Sequence, residues 1–212
     1  MSGLVFAVVG AESTGKTTLA SGLCLALQAQ GLDAVVVPEW LRAFCVEAGR
    51  TPRQDEQAGI AAEQSRLIDD AASRHAIVLA DTTALMTAVY SDFIFGDASL
   101  YPVARQAQAK VTSTLLTSLD LDWVADGLQR DGPHVREPVD QLIRQALHGM
   151  GLPFAVVAGQ GEARLQHALD LIAHLLDAPE RALRTERAPR WRWICERCDD
   201  GACEQHWMPP GQ

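Results

Sequence analysis

The stretch "LVFAVVGAESTGKTTLA", residues 4–20, constrains the fold more than any other part of the chain. Residues 4–9 are apolar on both faces of an extended chain, which predicts a fully buried strand. The run then breaks into small, polar and glycine residues. "KTTLASGLCLALQAQG" follows and predicts a helix stopped by Gly31 in the C-terminal cap role. Between the two, "GAESTGKT" has the Walker A spacing, with Gly10, Gly15, Lys16 and Thr17 in the required places. Glycines let such a loop turn its amides inward onto phosphate oxygens, and the helix adds its positive end. The phosphates are expected along Gly10, Glu12, Ser13, Thr14, Gly15, Lys16, Thr17 and Thr18. Lys16 supplies charge to the outer phosphates and Thr17 a hydroxyl to Mg²⁺. The implied ligand is a nucleoside triphosphate, ATP with Mg²⁺.

The rest of the chain repeats the strand-then-helix rhythm. "DAVVVPEW" predicts a second buried strand ending at Pro38. A helical segment follows, and "TPRQDEQAGIAAEQSRLIDDAASRH" predicts a long helix with Ile60, Leu67, Ile68 and Ala71 inside. "AIVLADTT" is a third strand that runs out into Asp81, and "KVTSTLLTS" a fourth, rich in β-branched residues. A helix around 138–149, the strand "PFAVVAG" and the helix "EARLQHALDLIAHLLD" complete the pattern. Short apolar strands alternating with helices imply a three-layer α/β/α architecture around a five-stranded parallel sheet, the P-loop NTPase class. There is no internal repeat. From about Pro179 the texture turns arginine- and tryptophan-rich, which divides the chain into a P-loop domain, 1–178, and a tail, 179–212.

Composition excludes several functions. The formal charge of −9 argues against a bulk electrostatic grip on nucleic acid or an anionic membrane. The longest apolar runs are far too short to span a bilayer, and the first residues lack the basic start and long apolar centre expected of a secretion signal. A cytoplasmic location is the expectation.

Asp81 leaves its strand at the carboxyl edge of the sheet, where ligands of open α/β sheets sit, and is placed to hold Mg²⁺ as a Walker B carboxylate. The alternative role is N-cap of the next helix. Glu39 ends the second strand on the same edge and is placed to take a proton from a substrate hydroxyl approaching the γ-phosphate. Trp40 would stack on a flat ring, and Arg42 would hold a ribose or steady the moving phosphate. The competing reading makes Glu39 and Arg42 a solvated pair and Trp40 packing. The polar segment 122–138, with Asp126, Arg130 and Arg136 around glycines, suits a lid that brings arginine charge to the phosphates and excludes water. An ordinary surface loop is the alternative.

Taken together, "GAESTGKTTL", "PEWLRAF", "DTTALMTAVYSDFIFG" and "DWVADGLQRDG…R" resemble the ribosylnicotinamide kinase domain of the NadR-type proteins, from residue 3 to about 176. The resemblance implies a P-loop kinase that moves the γ-phosphate of ATP onto the 5′-hydroxyl of nicotinamide riboside, in NAD salvage. It places Lys16 and Thr17 at ATP and Mg²⁺, and Glu39, Trp40 and Arg42 on the substrate side. Asp81 falls at the metal, Tyr90 and Asp92 on the acceptor pocket, and Asp126 and Arg136 in the lid. The family shows Asp-Gly-x-Arg where this chain has Gln129 followed by Arg130, so the lid arginine that reaches phosphate stays open between Arg130 and Arg136. Glu39 is the assigned proton acceptor, with Asp81 the alternative. The adenylyltransferase and DNA-binding parts of longer family members are expected to be absent. Two other readings remain: a kinase for another nucleoside or small alcohol, and a regulatory ATP-binding protein.

The tail carries Cys195, Cys198, Cys203 and His206, spaced C-x2-C-x4-C-x2-H, which fits a closed, structural, tetrahedral Zn²⁺ site. A tail with chance cysteines or one disulfide is the alternative. Its arginines and tryptophans are read as docking the tail on the kinase, a second subunit or a protein partner, with nucleic acid disfavoured by the acidic whole. Cys24 and Cys45 read as buried small apolar residues.

Overall fold

A computed structural model of the chain describes residues 2–124 and 132–176. Five strands, β1 (Leu4–Val9), β2 (Ala34–Val37), β3 (Ile77–Asp81), β4 (Ser113–Thr117) and β5 (Phe154–Val157), form one parallel sheet in the order β2-β3-β1-β4-β5. The expected class and strand number therefore hold. β1 is central because it is apolar on both faces, and it is flanked on each side. Val8 pairs in register with Asp81 of β3 and with Leu115 of β4.

The helices are α1 (Lys16–Ala29), α2 (Trp40–Ala48), α3 (Gln57–Arg74), α4 (Ala84–Phe95), α5 (Tyr101–Gln108), α6 (Arg136–Met150) and α7 (Gly161–Leu176). Side chains alternate across a strand. Val5, Val78 and Ala80 pack under Ile68, Ala71 and Ala72 of α3, while Ala7, Val9 and Leu116 pack under α4 and α6. The opposite face is taken by α1, which buries Leu19, Leu23 and Leu27, and α7 meets α1 where Leu165 lies over Gly22. Gly31 follows the end of α1 in the left-handed region, as the cap reading requires.

Several boundaries differ from the sequence reading for local reasons. The segment 51–75 is not one helix: Pro52 precedes a 3₁₀ turn, Gln54–Glu56, before α3 begins. Arg50 makes a two-pronged pair with Glu56, 2.6 and 2.7 Å, which fixes that turn. Leu67 is only partly buried, whereas the polar Gln64 takes a fully buried place on the stripe. The helices α4 and α5, which the pattern reading did not delimit, connect β3 to β4. The compact unit that carries the sheet runs through Ile172, inside α7. The sequence-based boundary near residue 178 lies outside the described residues. No helix among those described is long and apolar enough to cross a membrane.

Candidate active site

All five strands point their carboxyl ends to one edge, and the loops there build the site. The Walker loop is held from below by β4. A Cβ on Gly10 would sit 2.0 Å from Thr117 Oγ1, so only glycine fits this crossing. The hydroxyls of Thr14 and Thr117, both fully buried, share a hydrogen bond of 2.7 Å, and Thr14 also donates to the Ala11 carbonyl at 2.8 Å. Gly15 and Ser13 have positive φ, 74° and 54°, which turns successive amides toward one point. Lys16 opens α1 and folds its Nζ back onto the Ala11 carbonyl at 2.9 Å.

Thr17 donates to Asp81 Oδ2 at 2.6 Å. Asp81 is 1% exposed, and its Oδ1 has no hydrogen-bond partner among the described residues. A buried carboxylate oxygen without a donor, beside a Walker threonine, fits a divalent cation or its bound water. Asp81 does not cap the next helix; Thr83 does, accepting the Leu85 amide at 3.3 Å. Thr82 between them is a β-branched residue at φ 71°, a strained conformation.

Glu39 ends the β2 loop and leads into α2. Its Oε2 accepts from Arg42 Nε at 3.0 Å. Burial pushes its carboxyl above the ordinary value; Lys16 and Arg42 pull it down, and Asp81 pushes it further up. Glu39 thus feels the charges of both the Walker lysine and Asp81.

These residues face a cleft of about 500 Å³. One end is the Walker loop from Glu12 to Thr18, and Glu39, Arg42 and Tyr90 also line it. Leu41, Ile60, Met86, Ile94 and Phe95 supply an apolar wall from α2, α3 and α4. Trp40 and Asp92 are not among the lining residues. Asp92 instead accepts from the Tyr101 hydroxyl at 3.1 Å. Two residues apart on a helix means about 200° around its axis, so Tyr90 and Asp92 cannot share a face. Arg136, at the start of α6, is buried and donates to the Leu121 carbonyl at 2.7 Å, so it ties down the entry to the polar segment. That segment meets the Walker loop where Val124 N–H donates to Ser13 Oγ at 2.8 Å. Asp126 and Arg130 lie outside the described residues, as do Cys195, Cys198, Cys203 and His206.

Two supporting residues escape motif reading. Gln64 of α3 accepts the Trp40 amide at 2.7 Å, and donates to the Pro38 carbonyl at 3.3 Å and the Thr82 carbonyl at 3.5 Å. It thus brackets Glu39 and joins that loop to the one after Asp81. Arg164 of α7 donates to the Thr14 carbonyl at 2.8 Å and pairs with Asp120 at 2.8 Å. Both signals were present in the sequence as a polar residue on an otherwise apolar helical stripe: Ile60, Gln64, Ile68 and Arg164, Ala168, Ile172.

A family model described as an AAA domain matches residues 5–164. The chain belongs to this AAA domain family. The match spans β1 to the first turn of α7, so it includes the Walker loop, Asp81 and the Thr14–Arg164 contact. Among solved structures with the same fold is that of the NadR protein in complex with NR, with a TM-score of 0.65 and 24% identity, covering 81% of this chain and 51% of that one. Another is the NadR protein in complex with NAD and AMP-PNP, with a TM-score of 0.65, 22% identity and coverages of 81% and 49%. The chain thus spans about half the length of those proteins. No curated protein matches it. The likeness to the NadR structures is one of fold, and the AAA domain supplies the nucleotide-binding frame.

Proposed function

We propose that this AAA domain is an ATP-dependent kinase that phosphorylates the primary hydroxyl of a nucleoside, with nicotinamide riboside the acceptor. The observation that carries the reading is the placement of Glu39. A carboxylate lines the same cleft as the Walker lysine, and an apolar wall of Leu41, Ile60, Met86, Ile94 and Phe95 lines it too. A protein that only senses nucleotide has no use for an acid–base group on the acceptor side. The fold shared with structures of the NadR protein bound to NR and to AMP-PNP supports the same reading.

In this scheme the Walker amides and Lys16 hold the β- and γ-phosphates. Bound Mg²⁺, for which Thr17 and Asp81 are the fitting ligands, would neutralise phosphate charge. Ionised Glu39 accepts the proton of the 5′-hydroxyl as its oxygen bonds to the γ-phosphorus. The bond from that phosphorus to the bridging β–γ oxygen breaks, and ADP leaves. Arg42 holds Glu39 in position through its 3.0 Å hydrogen bond.

Purified protein with ATP, Mg²⁺ and a panel of nucleosides tests this. Phosphate should appear on nicotinamide riboside, and Lys16→Ala should abolish transfer. ATP hydrolysis with no phosphorylated nucleoside anywhere in the panel would sink the proposal.

A further inference from the structure

The Cys/His motif near the end of the sequence takes no part in the transfer chemistry. Three of the five cysteines fall between Cys195 and Cys203, and His206 follows in the spacing C-x2-C-x4-C-x2-H. All four residues lie outside the described ones, so their types and their spacing in the chain are what count. The residues between Cys195 and His206 are charged, polar or small, with Ala202 the most apolar of them. Apolar neighbours keep structural thiols in a protein interior, and this stretch supplies none to bury them with. One disulfide would account for two of the three thiols and not for the histidine.

Residues 2–124 and 132–176 offer no thiolate site to compete with it. Among the described residues no group of three or more His, Cys, Asp or Glu could hold a metal ion. Cys24 on α1 and Cys45 on α2 are buried, and burial pushes both thiols up, so they stay protonated. Thr17 and Asp81 offer oxygen alone, which suits Mg²⁺ and not a metal that prefers sulfur.

We propose that Cys195, Cys198, Cys203 and His206 bind one Zn²⁺ through three sulfurs and one nitrogen, a second metal site with donors opposite in kind to those for Mg²⁺. Ligands two residues apart reach one ion, as short C-x2-C pairs do in structural sites. Asp199, Asp200 and Gly201 are the turn formers that let the second pair fold back on the first. At neutral pH free thiols are mostly protonated, so binding releases about three protons and leaves three thiolates and a neutral imidazole on the ion. The assembly carries about one negative charge, and four protein ligands leave no position for water or substrate. Its work is to hold this part of the chain folded, since the binding energy of such a site is folding energy. Mg²⁺ prefers oxygen and sheds its water reluctantly, so it does not compete.

The test uses the full chain, purified in a reductant that does not bind metal. After loose metal is removed, elemental analysis should find about one zinc per chain. Asp81→Asn should keep that zinc. Cys198→Ser and His206→Ala should weaken its binding by more than the about 10–100-fold that an outer-shell change costs. In wild type stripped of zinc, added Co²⁺ should give the intense visible bands of a tetrahedral thiolate complex, unmoved by excess Mg²⁺. Zinc should also shield three cysteines from a thiol reagent, with Cys24 and Cys45 slow in both states. A pale octahedral cobalt spectrum, or zinc retained in full by Cys198→Ser, overturns the site. Zinc lost from Asp81→Asn overturns it too, by placing the metal at the Walker loop. If the variants fail to fold in a thermal melt, the cobalt spectrum of the wild type decides alone.

Discussion

Glu39 is pulled two ways, and the balance is measurable. Burial raises its carboxyl, and Lys16 and Arg42 only partly offset this. Its folded value lies above the ordinary 4.5, so between the two the folded chain holds a proton that the unfolded chain has lost. Stability in that window must fall as pH rises, because ionising Glu39 in place is unfavourable. Activity runs the other way, since only the ionised form accepts the proton. The acid limb of kcat/KM should therefore sit above the usual carboxylate range. Glu39→Gln should cost about 10²–10⁴ in kcat. The same variant should melt higher than wild type at neutral pH and lose that advantage below the ordinary carboxylate range. A gain in melting temperature independent of pH would show that the buried charge is not its source. The position of Glu39 was legible because a strand end fixes where the next side chain goes. That Asp92 turns from Tyr90 to meet Tyr101 was not, since both residues were placed on the acceptor side only by the family resemblance.

Elements position the site through contacts that no motif records. Gln64 links three backbone groups, Pro38, Trp40 and Thr82, from two loops that are far apart in sequence. Gln64→Leu should lower stability by about 2 kcal/mol, since buried partners are left unsatisfied. It should reduce kcat at least about tenfold, a misplaced base being costly. ATP affinity should change little, because the Walker loop is built by β1, α1 and β4. Titration with a non-hydrolysable ATP analogue separates the two effects, and equal loss of both would place Gln64 in the general fold. At this scale the sequence was readable wherever apolar runs were short and bounded, as in β1 and β3. It was least readable in α4, where every residue from Ala84 to Val89 is buried. A helix covered on all sides has no polar face, so periodicity cannot delimit it. Gln64 itself was visible as a break in an apolar stripe, but its partners are set by the sheet order.

The Walker loop is also held from α7, 150 residues further along the chain. The strand order puts β1 between β3 and β4, so residues near the start of the chain are held by Thr117 and, through α7, by Arg164. Arg164 is 5% exposed and bridges the Thr14 carbonyl, the Gly159 carbonyl and Asp120. Burial alone would raise the Asp120 carboxyl. The neighbouring Ser118 side chain, the Gly159 amide and Arg164 outweigh it and bring the value from 3.8 down to about 2. The stabilisation that this represents is present above the unfolded value of 3.8 and is lost as pH falls through about 2. Arg164→Leu should therefore unfold at a higher pH on acid titration than the wild type. At neutral pH it should cost about 2–3 kcal/mol, somewhat less than a fully buried pair because Asp120 keeps some contact with water. Adding Asp120→Asn should recover part of that loss, because the stranded charge is removed. The Thr14 carbonyl loses its donor in either background, so ATP affinity should stay reduced in both. If calorimetry finds nucleotide binding at full strength in Arg164→Leu, α7 merely covers the sheet and the Walker loop holds its shape without it.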